Sequence, residues 1–384
     1  MPVKKFNVPR RFPIGIVIGL LAVLSLGFYL LNYTDLFSTT YDSVADGLKD
    51  KMQAEPEPKK VLNFADYDQR MFVLATASST INLKATLAAA IATSTATTTA
   101  STTTSTTPKK VSPWPVKTVY PNVEAILPFK RVIAFYGNFL STKMGVLGQY
   151  PAEEMLEKLR AEVKKWEEAD PTTPVMPAID YIAVTAQGSP GPAGKYRLRM
   201  PDKEIDHALD LAAQVNGIVI LEIQAGLSTL SLEIPELEKY LKMPQVHLAL
   251  DPEFYMKTGA RPGTVVGTMD AVEINYAANY LADLVRANNL PPKILIVHRY
   301  TSAMVTNYKN IKPLPEVQIV MDMDGWGSPA KKNTTYSRTI VAEPVQFTGF
   351  KLFYKNDILP PSPRLMSKEE VLNLKPRPIF IQYQ

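Results

Sequence analysis

Five carboxylates in the second half of this chain sit where apolar strand patterns run out. They are Glu222 in GIVILEIQAG, Asp251 and Glu253 in VHLALDPEF, and Asp322 and Asp324 in VQIVMDMDG. In VHLALDPEF one row is apolar (Leu248, Leu250 and Phe254, with Pro252 completing it), and the other reads His247, Ala249, Asp251, Glu253. Burying an unpaired carboxylate is expensive. Acids at the tip of such a strand therefore either reach solvent or are held there for a task. Mutual repulsion between neighbouring acids raises at least one pKa, which suits a pair that must donate and accept a proton.

The elements that must position these acids alternate. From about Val132 onward, eight strand candidates appear: RVIAFYGN, AIDYIAVTAQ, GIVILEIQAG, VHLALDPEF, KILIVHRYT, VQIVMDMDG, GFKLFYKND and PIFIQYQ. Amphipathic stretches lie between them. PAEEMLEKLRAEVKKWEEAD aligns Met155, Leu159, Val163 and Trp166 on one face, and PDKEIDHALDLAAQVN aligns Ile205, Leu209 and Ala212. A third helix is expected from about Asp270 to Asn289, and SKEEVLNLK carries Ser367 and Glu370 at capping-box spacing. Alternation of this kind implies a parallel sheet. Eight units over roughly 250 residues imply a closed (β/α)8 barrel of the TIM type rather than an open doubly wound sheet. No glycine-rich dinucleotide fingerprint follows the first strand. The pattern ends on the eighth strand, so a regular last helix is not expected; the gap in the outer ring could be filled by the segment before strand one or by an earlier helix folding back.

In such a barrel the carboxyl ends of the strands open onto one face. The last inward residues are then expected to converge: Tyr136 and Asn138, Thr185 and Gln187, Glu222 and Gln224, Asp251 and Glu253, His298 with Arg299 at the rim, Asp322 and Asp324, Tyr354 or Lys355 by parity, and Gln382 and Gln384. Each has a plainer reading. Asp251 and Glu253 also suit capping of the following loop. Glu222 could pair with Lys355 or Arg299, and Asp322 to Gly325 could be a turn. Trp326 is either a stacking platform or a loop plug. His298 is either a ligand or a satisfied core histidine, His247 reads as buried structure and His207 as surface.

The N-terminal part is of another kind. IGIVIGLLAVLSLGFYLLNY, residues 14–33, carries no charge and follows Lys4, Lys5, Arg10 and Arg11. It matches the hydrocarbon thickness of a bilayer, and the positive-inside rule places residues 1–13 in the cytoplasm and the remainder outside. An uncleaved single-pass anchor is expected rather than a cleaved signal peptide. Residues 34–110 read as an extracytoplasmic stalk, with a short helix near 61–75 (Phe64, Tyr67, Met71 and Leu74 on one stripe) and a disordered Ala/Ser/Thr linker around TSTATTTASTTTSTTP. The barrel domain takes 111–384. The net charge of +5 is mild and basic residues are concentrated only at the extreme N-terminus, which is not a nucleic-acid footprint. There are no cysteines, so disulfides, thiolate catalysis and zinc–thiolate sites are excluded.

With three histidines in the chain, a paired-metal hydrolase is disfavoured. No cofactor is expected, although Glu222, Asp251, Asp322 and Asp324 leave room for one hard cation, Mg²⁺ or Ca²⁺. NDILPPSPR after strand seven is a poor phosphate cradle. Carboxylate chemistry among amides and aromatics remains. In its acids at strands three, four and six, its rim Trp and Tyr and its surrounding Gln and Asn, the domain resembles barrel-type glycoside hydrolases. AFYGN, ALDPEF and MDMDGWG look like blocks of an uncharacterised exported bacterial barrel family. That second likeness implies no activity; the resemblance to glycoside hydrolases implies a carbohydrate-active hydrolase using two carboxyls, which the N-terminal segment would anchor at the membrane and hold outside the cytoplasm, with a glycan or cell-envelope polymer as partner. The arrangement with acid and nucleophile on strands four and seven finds Lys355 and Asp357 where a glutamate is needed. Two further readings stay open: a non-catalytic glycan-binding or envelope-scaffolding barrel, and a metal-dependent phosphodiesterase or lyase.

Overall fold

The structure is a computed structural model that describes residues 61–76, 119–362 and 364–384. The candidate span 14–33, the basic segment before it and the Ala/Ser/Thr linker lie outside the described residues. Among the described residues no helix is long and apolar enough to cross a membrane.

Eight parallel strands close on themselves. They are β1 (Arg131–Gly137), β2 (Val175–Ala186), β3 (Ile218–Ile223), β4 (Val246–Leu250), β5 (Lys293–Arg299), β6 (Val317–Met323), β7 (Phe347–Leu352) and β8 (Phe380–Tyr383). Each pairs with its sequence neighbour, and β1 pairs with both β2 and β8, which completes a TIM-type barrel. A short strand, Arg197–Arg199, adds antiparallel to the end of β2. The strands are Val-, Ile- and Leu-rich because both faces are buried, as in parallel sheets generally.

Alternation divides each strand. One row (Ile133, Ile179, Leu221, Leu248, Leu295, Ile319, Phe350 and Ile381 among it) joins the core shared with the outer helices. The other row fills the barrel, with Ala134, Ala178, Ile220, Ala249, Ile296, Val320 and Phe380 at its lower levels. Gly349 on β7 belongs to this inner row. A Cβ there would overlap Asp322 Oδ1 and lie 2.9 Å from the Phe380 ring, so the absent side chain makes room for the Asp322 carboxylate.

The outer ring is uneven. Ala152–Ala169 and Asp202–Ala213 cover β1 to β3, and Ala271–Asn288 lies between β4 and β5. Asp270 and Glu273 form a capping box at the start of that last helix, and Ser367 and Glu370 form the expected one before Lys368–Leu372. Single-turn helices replace a full helix between β3 and β4, and 3₁₀ turns do so between β5 and β6. No helix follows β8 among the described residues.

The early helix, α1 (Phe64–Thr76), does not fill the outer ring. Its buried Tyr67, Met71 and Leu74 join the inner cluster at the amino ends of the strands. Arg377 N, just before β8, donates to Leu74 O at 2.6 Å. Tyr67 meets Tyr120 and Phe129 ring to ring, and Tyr120 OH donates to Asp68 at 3.1 Å. The helix closes the bottom of the barrel, opposite the mouth that holds the acids.

Candidate active site at the barrel mouth

The inner row turns polar towards the carboxyl ends of the strands. From β1 to β8 it presents Tyr136, Asp180, Glu222, Asp251, His298, Asp322, Lys351 and Gln382, all buried. Glu222 lies at the centre of this layer and is fully buried. Its Oε1 accepts from Tyr136 OH at 2.8 Å and from Gln224 Nε2 at 2.9 Å, and its Oε2 lies 3.0 Å from His298 Nε2. The other imidazole nitrogen, Nδ1, faces Asp322 Oδ2 at 3.2 Å and Asp324 Oδ2 at 3.7 Å. A histidine between carboxylates on both nitrogens is favoured as imidazolium. Burial lowers its pKa, but Glu222 and Asp322 overcome that and hold it well above the ordinary value. Glu222 answers in kind. Burial pushes its carboxyl up, yet the His298 charge, Lys351 and the Tyr136 hydrogen bond together bring it below the usual range.

The other acids go the opposite way. Asp180 is pushed up to about 8 by burial and by Glu222, although Gln382 Nε2 donates to its Oδ2 at 2.6 Å. Asp251 is driven well above the carboxylate range by burial and then by Glu222, Asp324 and Glu253. Asp324 rises to about 6, mainly through burial, with His298 and Lys351 opposing. Glu253 is raised by burial. One layer thus holds an acid shifted down, acids shifted up and a histidine shifted up, within a chain of contacts.

Above the layer opens a cavity of about 620 Å³. Asp251, Glu253, Asp324, Tyr136, Gln224 and Trp326 line it, as expected from the sequence. Asp251 is 4% exposed and Asp324 9%. Asp251 ends β4 and caps the 3₁₀ turn Pro252–Phe254, its Oδ1 accepting from Glu253 N at 2.9 Å while Gln224 Nε2 reaches its Oδ2 at 3.4 Å. The loop-capping reading and the mouth reading of Asp251 therefore both hold. Strand alternation stops at that turn, which brings Phe254 onto the cavity wall instead of into the outer core. Trp326 is 48% exposed, with Lys331 Nζ 4.3 Å from its ring centroid.

Glu222, His298, Asp322 and Gln382 belong to the buried layer and do not line the cavity. Six expected residues lie elsewhere; Thr185, near the end of β2, does not line the cavity. Arg299 points outward and braces the loop after β5, donating to Thr301 O, Ser302 O and Val305 O and pairing with Glu343. Asn138 holds a loop by donating to Ile182 O at 3.2 Å and accepting from Leu140 N at 2.9 Å. Gln187 sits past the end of β2, off the cavity wall. Tyr354 stacks on Tyr383 in the outer layer, ring centroids 5.1 Å apart, and Lys355 is exposed. β7 ends at Leu352, so its inward residue is Lys351. Neither Lys351 nor Asp180 was expected. Both are charged residues inside an apolar strand, and that was the available signal. A bulge between Ile182 and Val184 puts Ala183 and Val184 together in the outer core, so parity counted back from the polar end of β2 misses Asp180. Among the described residues no group of three or more His, Asp or Glu is arranged to hold a metal ion.

No protein-family model matches the chain, and no curated protein sequence matches it. Among solved structures the barrel is similar to Thermotoga maritima Cel5A, a mutant form in complex with cellobiose substrate (TM-score 0.31, 8% identity, 67% of this chain and 88% of that one). It is also similar to a ruminal GH26 endo-beta-1,4-mannanase (TM-score 0.33, 11% identity, 67% of this chain and 59% of that one). At these values the likeness adds nothing to the closed barrel that strand pairing already establishes.

Proposed function

We propose that this barrel is a carbohydrate-active hydrolase in which Asp251 is the proton donor and Asp324 the partner carboxylate. The observation that supports this reading is the split in protonation among acids at one cavity. Burial and the neighbouring acids drive Asp251 well above the carboxylate range, which favours its protonated form, whereas Asp324 rises only to about 6. Glycoside hydrolysis needs such a pair. Asp251 would protonate the glycosidic oxygen as its bond to the anomeric carbon breaks. Asp324 would take the proton of the attacking water or attack that carbon itself. Glu222, wrapped by Tyr136, Gln224 and His298, would set the electrostatics beneath rather than touch substrate. The exposed face of Trp326 suits a sugar ring. On the sequence of 1–33, the enzyme would be held at the outer face of a cell membrane and act on a glycan or cell-envelope polymer.

The test is a turnover screen of the protein on glycans and cell-wall fragments, repeated with Asp251→Asn and Asp324→Asn. Loss of one general acid or base should cost roughly 10²–10⁴ in rate. Turnover that survives both substitutions sinks the assignment. Binding without turnover in the unmodified protein would favour a glycan-binding barrel, and activity abolished by EDTA would favour a metal-dependent lyase or phosphodiesterase.

A further inference from the structure

Lys351 is a buried ammonium that faces the cavity. Its side chain is 4% exposed, it lies on the cavity wall, and its Nζ sits 3.7 Å from the centroid of the Tyr136 ring. Among the described residues it forms neither an ion pair nor a side-chain hydrogen bond; its recorded partners are the rings of Tyr136 and Phe353. The other buried lysines differ. Lys332 is tied to Asp357, Gly325 O and Lys351 O, and Lys293 to two backbone carbonyls. An ammonium has three donors to satisfy, and those of Lys351 meet no hydrogen-bond acceptor among the described residues, although the residue lies on the cavity wall. Two more lysines, Lys143 and Lys331, reach the same cavity from its rim. Neither forms an ion pair among the described residues, Lys331 resting on Trp326 instead.

A neutral sugar can accept hydrogen bonds from ammonium groups but brings no charge to offset three of them. Charge compensation accounts for part of Lys351, since it helps hold Glu222 and Asp324 ionised. It does not account for the rim lysines, Lys143 and Lys331, which no carboxylate pairs among the described residues. Lysine binds carboxylate, sulfate and phosphate as a point charge without demanding a planar fork.

We propose that the cavity binds an anionic glycan, with Lys351 seating an acidic substituent of the sugar and Lys143 and Lys331 drawing the chain in at the rim. This deepens the hydrolase reading and rests on its glycan. The substituent is a carboxylate or a sulfate, and the experiment separates the two.

The measurement is calorimetric binding to the full chain of three tetrasaccharides: an oligogalacturonate, a sulfated galactan oligomer and neutral cellotetraose. Inorganic sulfate alone is the fourth arm. At least one acidic oligomer should bind about 10-fold or more tightly over the neutral one, and that ratio should weaken with salt. Lys351→Met should collapse the ratio, and Lys351→Arg should restore part of it. Lys143→Gln and Lys331→Gln, both at exposed positions, should each reduce the ratio if Lys351→Met does not fold. Equal or better binding of cellotetraose, or a preference that persists in Lys351→Met and in both rim variants, overturns the proposal. Sulfate binding with no binding of any sugar overturns it too and takes the glycan reading with it. A neutral sugar bound and hydrolysed without preference removes the acidic substituent alone and leaves the hydrolase reading standing.

Discussion

Asp180 and Asp251 are both pushed above the ordinary carboxylate range by burial and by Glu222, and each shift has a measurable consequence. Asp180 titrates near 8 in the folded barrel, against about 4 in an unfolded chain. A raised acid favours folding at low pH and loses that advantage as pH climbs from the unfolded value to the folded one. Asp180→Asn mimics the protonated form, and its carbonyl can still accept from Gln382. The variant should show a higher urea midpoint than the parent at about pH 7.5 and no gain at about pH 4. An unchanged difference between the two pH values would mean that Asp180 is ionised in the native state. For catalysis, Asp324 must be ionised and Asp251 protonated. Activity is therefore expected to rise through about pH 6, the value for Asp324, and to fall where Asp251 finally loses its proton. In Asp324→Glu the acid limb should move and the alkaline limb should stay, which a pH–rate profile reads directly.

Among elements, α1 departs most from expectation. Its stripe is legible, because Tyr67, Met71 and Leu74 recur at helical spacing, but its destination is not. The amino ends of the strands present Val132, Ile218, Ile294 and Phe347 as an open apolar floor, and a three-residue stripe covers it. Leu74 is 5% exposed in that contact. Leu74→Ala should cost about 2–5 kcal/mol in urea unfolding, the usual range for a buried leucine, with ligand binding at the opposite end preserved. A change smaller than about 0.5 kcal/mol, typical of a surface position, would show that the helix is not part of the folded core. The cap residues were readable where the motif is local. Ser367 with Glu370 forms its box as expected, because both partners lie within one turn.

For the whole molecule, the mouth and the N-terminal segment bear on one proposal: a barrel tethered at a membrane and open to an extended polymer. Removal of residues 1–33 should shift the protein from the membrane pellet to the soluble fraction on cell fractionation while leaving glycan binding in place. Retention in the pellet would point to another membrane contact.

Local pattern in the sequence determined the eight strands, their order, the three long helices and the acids Glu222, Asp251, Asp322 and Asp324 at the strand ends, because period-two alternation and β/α alternation are properties of short windows. Polar tips marked the inward row on several strands (Glu222, Asp251, His298, Asp322 and Gln382), but only the tertiary structure decided it where the count along a strand is shifted, since most of both rows is apolar. That is why Arg299, Tyr354 and Lys355 were expected at the mouth and lie outside it, and why Asp180 and Lys351 were missed. A bulge after Ile182 and a strand end at Leu352 each move the count by a residue or more, and a shift of one residue exchanges the two faces. The protonation split has the same origin: the free energy of each charge depends on neighbours brought from other strands, so closure of the barrel decides which acid keeps its proton.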